Sequence, residues 1–284
     1  MAFSTNIRMS LNRLLKPVNL KLSTLVADNA ESSRIKALEA SGLLERPVYS
    51  LLPGMANFDA EPLAKAYSKY RAEIERLRQV GKNDVGYVFA NDYFSSPDME
   101  VLYLLMRTLM PSNVVEVGCG NSTRISRQAI IDGDLKTKII AIDPHPRNDI
   151  ALFVDEFRQC KLEHIENYEI FQNLQPGDFL FIDSSHQVHV GNDVARIFCD
   201  IIPRLKAGVV IHIHDIFLPY EYPPAFAYDY SNWGEQYLLH ALMQGRPCEI
   251  LWPGYYLQKS RPELAKTLPF LSQGRAQSFW LLLK

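Results

Sequence analysis

Cysteine is scarce and scattered in this 284-residue chain. Cys119, Cys160, Cys199 and Cys248 lie about forty residues apart and form no C-x-x-C pair. That spacing argues against a disulfide framework or a zinc knuckle and fits a reducing compartment, so a cytoplasmic location is expected. Long apolar runs are missing too, and nothing approaches the roughly 20 residues of a membrane span. A formal net charge of −2 provides no basic surplus for gripping nucleic acid. Internal repeats and low-complexity segments are absent. Residues 1–27 hold Arg8, Arg13, Lys16 and Lys21 but no acid. That stretch lacks the apolar centre of a signal peptide and reads as a basic N-terminal helix.

The remaining composition, 47% hydrophobic and 22% charged, suffices for one large core with an appendage. The core is organised around Val114–Thr123. Val114-Val115-Glu116-Val117 reads as a buried strand, broken by Gly118-Cys119-Gly120, with Ser122 or Thr123 placed to cap a helix carrying Ile125, Ala129 and Ile130. A strand, a glycine turn and a helix start make a nucleotide-like site, because glycine permits close backbone approach and the helix offers free N–H groups. The third glycine of the dinucleotide fingerprint is replaced by Thr123. Glu116 would repel a phosphate and attract an ammonium. A ligand with an amino-acid end therefore suits this loop better than a nicotinamide dinucleotide does.

Residues 30–46 and Glu61–Val80 read as helices, the second charged with an apolar stripe through Leu63, Tyr67, Ile74 and Leu77. The chain divides near residue 86, with 1–86 a helical cap or oligomerisation region. An aromatic loop, Tyr87–Pro97, leads into a helix with Ser96 as N-cap and Pro97 at its first position. Beyond it strands and helices alternate. Strands are expected at Ile139–Ile142, Leu162–Ile170, Phe179–Ile182, Val209–Ile213, Glu249–Trp252 and Ser278–Leu283. Helices are expected around Phe153–Phe157, over Val190–Leu205 and over Trp233–Met243. Alternation of this kind predicts a mostly parallel sheet covered on both faces, with ligands at the strand carboxyl ends.

Glu116, Asp143, Asp183 and His214-Asp215 all fall at such ends. Asp143 follows Gly120 at the distance where an acid takes both ribose hydroxyls of an adenosine, or else simply ends a strand in an Asp-Pro turn. Asp183-Ser184-Ser185-His186 sets a carboxylate and an imidazole three apart after a buried strand, types suited to metal and to proton transfer. Period-two alternation puts His212 and His214 on one face, so burial of both requires polar partners. His145, His164 and His189 lack such company and read as surface residues.

These motifs, Glu116-Val-Gly-Cys-Gly-Asn-Ser-Thr123, Ile-Asp143-Pro, Phe-Ile-Asp183-Ser-Ser-His186 and His-Ile-His214-Asp215, resemble class I S-adenosylmethionine-dependent methyltransferases over roughly residues 87–284. The resemblance is nearest to the metal-dependent small-molecule branch that includes macrolide-sugar O-methyltransferases. It implies an α/β, Rossmann-like, seven-stranded mostly parallel sheet with an antiparallel last strand, here with a helical N-terminal appendage. It also implies S-adenosylmethionine held by Glu116, Gly118, Gly120, Ser122, Thr123, Asp143 and Asp183. One divalent ion would lie on Asp183, His214 and Asp215, with His186 as base and Asp183 beside it in catalysis. An imidazole at position 214 departs from the acid of that branch and favours manganese or iron over magnesium. The iron-dependent C-methyltransferase domains of polyketide synthases share features at His214 and at Gln236, which leaves Gln236 open as a ligand. The expected reaction is methyl transfer to a hydroxyl of a small molecule, of natural-product or sugar type. The alternatives are metal-dependent C-methylation and a nicotinamide-dependent oxidoreductase. A small-molecule substrate and a homo-oligomer are the expected partners, with no nucleic acid and no transmembrane segment. The aromatics of Tyr87–Phe94 and Phe217–Trp233 would cover substrate or pack the lid.

Overall fold

In this computed structural model, described over residues 5–147, 149–229 and 233–284, seven strands form one sheet. They are β1 (Asn113–Val117), β2 (Lys138–Ile142), β3 (Glu156–Arg158), β4 (Phe179–Ile182), β5 (Val210–Ile213), β6 (Cys248–Pro253) and β7 (Phe279–Leu283). Their order across the sheet is β3-β2-β1-β4-β5-β7-β6. The first five run parallel, and β7 is antiparallel to both β5 and β6. The Rossmann-like sheet with an antiparallel last strand is therefore present. Every residue of β4 and β5, including His212, is buried, as expected of strands covered by helices on both faces.

The helices are α1 (Thr5–Leu15), α2 (Val26–Ala40), α3 (Glu61–Leu77), α4 (Asp98–Leu109), α5 (Asn121–Gly133), α6 (Glu169–Gln172), α7 (Asp193–Arg196), α8 (Ile202–Arg204), α9 (Pro224–Asp229), α10 (Glu235–Gly245) and α11 (Gly254–Ser260). On α3 the apolar stripe Leu63, Tyr67, Tyr70, Ile74 and Leu77 is buried, and with Leu52 and Met55 it joins the core that covers the sheet. From Leu52 onward the N-terminal region thus shares the core of the strand-bearing region. Among the described residues no helix is long and apolar enough to cross a membrane.

Several local expectations are corrected. The third strand is Glu156–Arg158, not Leu162–Ile170, which instead holds a 3-10 turn and α6. At this sheet edge only three residues pair, too few for periodicity to register. Glu156–Arg158 pairs with Ile140–Ile142, so the helix expected around Phe153–Phe157 does not form. The helix expected over Val190–Leu205 starts at Asp193, capped by the Asn192 side chain, and widens to a π-helix at Ile197–Ile201 before Pro203. Ser96 does not cap α4; its hydroxyl donates to the buried Glu100 carboxylate, which also binds Arg78. The chain runs β1-β2-β3 to one side and returns through β4 and β5 on the other. That reversal opens a crevice at the carboxyl ends of β1 and β4.

Candidate active site

A cleft of about 910 Å³ lies over those strand ends. Gly118 and Cys119 after β1, Asp143 after β2, Asp183–His186 after β4 and His214-Asp215 after β5 all line it. Such a volume suits one cofactor plus a small acceptor. Gly118 has φ +79, and a Cβ there would lie 1.7 Å from the Asp183 carbonyl oxygen. Only glycine lets β1 and β4 approach so closely at the crevice. Asp143 accepts from the Cys119 N–H at 3.1 Å and from the His145 N–H at 2.7 Å. Oδ2 also takes the Cys119 thiol at 3.6 Å, while Oδ1 keeps a second lone pair, which leaves the carboxylate able to take a ribose hydroxyl.

The rest of the glycine-loop set does something else. Glu116 is buried and does not line the cleft. Its two oxygens accept from Ser122 Oγ at 2.6 Å and Thr123 Oγ1 at 2.7 Å, and burial pushes its pKa up to about 8. Thr123 Oγ1 also accepts from the Gly120 N–H at 3.0 Å. Glu116, Gly120, Ser122 and Thr123 therefore brace the turn into α5 from beneath. The side chain at 116 leaves β1 toward the α5 N-terminus, away from the crevice.

At the other end of the cleft, Asp183, His186 and Asp215 converge. His186 Nε2 lies 3.4 Å from Asp183 Oδ1 and 3.5 Å from Asp215 Oδ2. Its Nδ1 is 2.5 Å from Oε1 of Glu235, which is completely buried. Burial works against a charged imidazole, but Glu235, Asp183 and Asp215 hold His186 well above its ordinary range. For Asp183 burial is likewise outweighed, by His214 and by the His186 hydrogen bond, so its carboxyl sits below the usual range. His186 and Asp215 both adopt positive φ, 59° and 56°. Such backbone is strained for residues with a side chain and concentrates at functional sites.

The donor set fits a divalent cation. The ligand atoms of Asp183, His186 and Asp215 all lie within 4.8 Å of one another. Two donors each ~2.1 Å from one ion stand ~3.0–3.4 Å apart at octahedral to tetrahedral angles, close to the separations seen here. His214 does not join this group. It follows the last residue of β5 with its ring 5.2 Å from that of Phe94, and its buried Nδ1 lacks a partner. His212, one turn of the pleat earlier, stacks on Phe181 at 3.8 Å and bonds Ser278 Oγ at 3.0 Å. The alternation that places both imidazoles on one face thus packs them against aromatics, and the residues that could hold an ion are Asp183, His186 and Asp215.

Residues 115–216 match the family model of a methyltransferase domain. That match spans the stretch from β1 to β5, so these strands are similar to a methyltransferase domain. No curated protein matches it in sequence. Among solved structures, the SAH-bound methyltransferase PaMTH1 of Podospora anserina is 12% identical, covering 93% of this chain and 99% of that one at a TM-score of 0.42. The SAM-bound O-methyltransferase TomG of Streptomyces achromogenes, involved in tomaymycin synthesis, is 15% identical, with 80% and 91% covered and a TM-score of 0.39. The SAH-bound O-methyltransferase of Bacillus cereus is 11% identical, with 98% and 99% covered and a TM-score of 0.37. At those scores the likenesses bear on neither acceptor nor mechanism.

Three residues around the candidate site escape a reading by motif. Glu235 reaches His186 because Trp233 bridges to Gln187 and the Gly234 N–H donates to the His186 carbonyl at 3.0 Å. The Trp233 ring lies 4.3 Å from the His186 ring. Gln277 donates from Nε2 to Asp215, and Asp98, at the start of α4, fixes Gln277 and Ser278 through their N–H groups at 3.0 Å. The signal available in sequence was the acid in Trp233-Gly-Glu235-Gln236. The neighbouring Gln236 is no ligand: it accepts from the Phe217 N–H at 3.1 Å and points its amide at the Tyr220 carbonyl. Of the expected covering aromatics, Tyr93, Phe226 and Trp233 line the cleft, Tyr87 and Phe94 join the core, and Phe217, Tyr220 and Tyr222 pack with Tyr255. Tyr230 lies outside the described residues. His145 and His189 are exposed at the cleft, and His164 is exposed elsewhere.

Proposed function

We propose that this enzyme transfers the methyl group of S-adenosylmethionine to a hydroxyl of a small molecule, with Asp183, His186 and Asp215 holding one divalent ion beside the acceptor. The observation that carries this is the convergence of an O, N, O donor set at the cleft end away from Asp143. An amine attacks a sulfonium unaided, whereas a hydroxyl is a poor nucleophile at neutral pH and needs such assistance. A bound dication supplies a lowered hydroxyl pKa and a fixed approach direction.

The chain's own residues do the rest. Gly118 lets the cofactor lie against the β1–β4 crevice, and Asp143 offers its free lone pair to the ribose. Asp183 and Asp215 balance the positive charge that the sulfonium and the ion bring together. Glu235 fixes the His186 ring so that Nε2 faces the cleft. Trp233, stacked beside that ring, keeps water from the reacting centre. The nitrogen donor favours manganese or iron over magnesium.

A second reading makes His186 the general base, favoured by its short contact to Glu235. His186 Nε2 lies 3.4–3.5 Å from both cleft carboxylates, where an ion would sit, and Glu235 occupies the other ring nitrogen. The ligand role therefore fits better. Manganese titration followed by calorimetry separates the two without an acceptor in hand. One ion per chain should bind, Asp183→Asn and Asp215→Asn should abolish binding, and His186→Ala should weaken it by about 10- to 100-fold. If the wild-type protein takes up neither manganese nor iron, the ligand reading is wrong and His186 acts alone.

A further inference from the structure

Residues 5–26 form an arm whose large apolar side chains are mostly exposed. The principal packing partner of α1 is the short 3-10 turn Lys16–Val18 that follows it. The arm nevertheless has a definite shape. Asn19 takes a left-handed conformation at φ 55°, and Leu20 N–H donates back to the Leu15 carbonyl. Asn12 then clamps the returning chain, donating to the Leu22 carbonyl at 2.9 Å and accepting from the Leu22 N–H at 2.6 Å.

This ordered arm presents Ile7, Met9, Leu14, Val18, Leu20, Leu22, Leu25 and Val26, with exposures from 46% at Leu22 to 76% at Leu14. They are eight of the 21 exposed large hydrophobic residues among those described, within twenty positions. Single exposed leucines need no explanation, but a concentration of this kind marks an interaction surface. The arm also carries Arg8, Arg13, Lys16 and Lys21 with no acid, whereas the rest of the chain holds 26 basic and 32 acidic residues. Its apolar side chains therefore sit among cations that are complementary to the remainder of the same protein. An anionic bilayer suits it less well, since that acidic remainder would be repelled and residues 5–26 contain no aromatic side chain to anchor at headgroups.

We propose that the arm docks on the acidic body of a second copy of this chain, forming an isologous dimer in which each copy lends its arm to the other. Because α2 packs on α9, where Tyr228 bonds Glu39 at 2.7 Å and Phe226 lines the cleft, the arm is rooted close to the cleft wall.

Sedimentation velocity on the full chain tests this. The wild type should sediment at twice the 32.5 kDa chain mass, and should dissociate as salt screens the charge complement. Leu14→Asp should raise the dimer dissociation constant at least ~100-fold, since a two-fold interface carries the change twice. The shift in melting temperature produced by S-adenosylhomocysteine should be the same in both proteins, because Leu14 touches neither core nor cleft. A wild type that stays monomeric at ~100 μM, or a Leu14→Asp variant that stays dimeric, overturns the proposal. So does a monomeric wild type that floats with phosphatidylserine vesicles, which would assign the arm to lipid.

Discussion

Replacing Gly118 with alanine should be among the most disruptive single-methyl changes in this protein. The new Cβ would stand 1.7 Å from the Asp183 carbonyl oxygen and 2.6 Å from its carbon, at a backbone φ of +79°. Left-handed backbone alone costs a residue with a side chain about 1–2 kcal/mol. Overpacking against a fixed neighbour adds about 1–3 kcal/mol. That neighbour is fixed, because the Asp183 N–H donates to the Val117 carbonyl at 2.9 Å and so ties the two strand ends together. The sum, about 2–5 kcal/mol, corresponds to a melting point lowered by ~5–15 °C in a chain of this size. Gly177 provides the control, having φ +91° but nothing within 4 Å of an added Cβ, so Gly177→Ala should show the backbone contribution only. Differential scanning calorimetry of both variants, with calorimetric titration of S-adenosylhomocysteine, reads the result. Gly118→Ala should melt well below Gly177→Ala and bind the ligand at least tenfold more weakly, because any relief of the clash moves Asp183. Equal melting points and equal affinities would refute the close approach of β1 and β4 as the basis of the site.

Glu116, with a pKa of about 8 in the folded protein against 4.5 ordinarily, holds a proton that the unfolded chain releases. Its contribution to stability is fully present below pH ~4.5 and is lost as the pH rises through ~8, so Glu116→Gln should gain on the wild type across that window, by at most ~5 kcal/mol, in urea titrations run from pH 5 to 8. A gap that stays constant from pH 5 to 8 would show that Glu116 is ionised in the fold. His214→Gln should still bind one manganese ion per chain with less than a tenfold change in affinity; loss of the ion would return His214 to the ligand set in place of His186.

The catalytic half of the sheet was readable because parallel strands buried on both faces leave unbroken apolar runs that end abruptly in acids. Phe179–Ile182 before Asp183 is a run of that kind, Val210–Ile213 before His214-Asp215 is one interrupted only by His212, and their ends do meet. Edge strand β3 was not readable, since three half-exposed residues carry no period. Nor was the break at Ile197–Ile201, where the apolar positions Ile197, Phe198, Ile201 and Ile202 stay buried whether the helix is regular or widened.

The placement of Glu116 and of His214, apart from Asp183, His186 and Asp215, has a common origin. A motif gives the spacing of residues along the chain, but which way a side chain leaves the backbone depends on what packs beside it. Glu116 and His214 belong to the body of strands β1 and β5 or their immediate continuation, where neighbouring side chains already fill the space: Ser122 and Thr123 in one case, Phe94 in the other. Asp183, His186 and Asp215 sit just past the strand ends, two of them in left-handed backbone, and are free to turn toward the crevice. Glu235 and Gln277 then approach from segments 49 and 62 positions away from their partners, separations over which no local pattern can be read. In this fold, the glycine that permits two strands to touch and the acids one residue beyond the last hydrogen-bonded pair carry the site. The groups that hold those acids and the imidazole in place become visible only once the later chain has closed over the cleft.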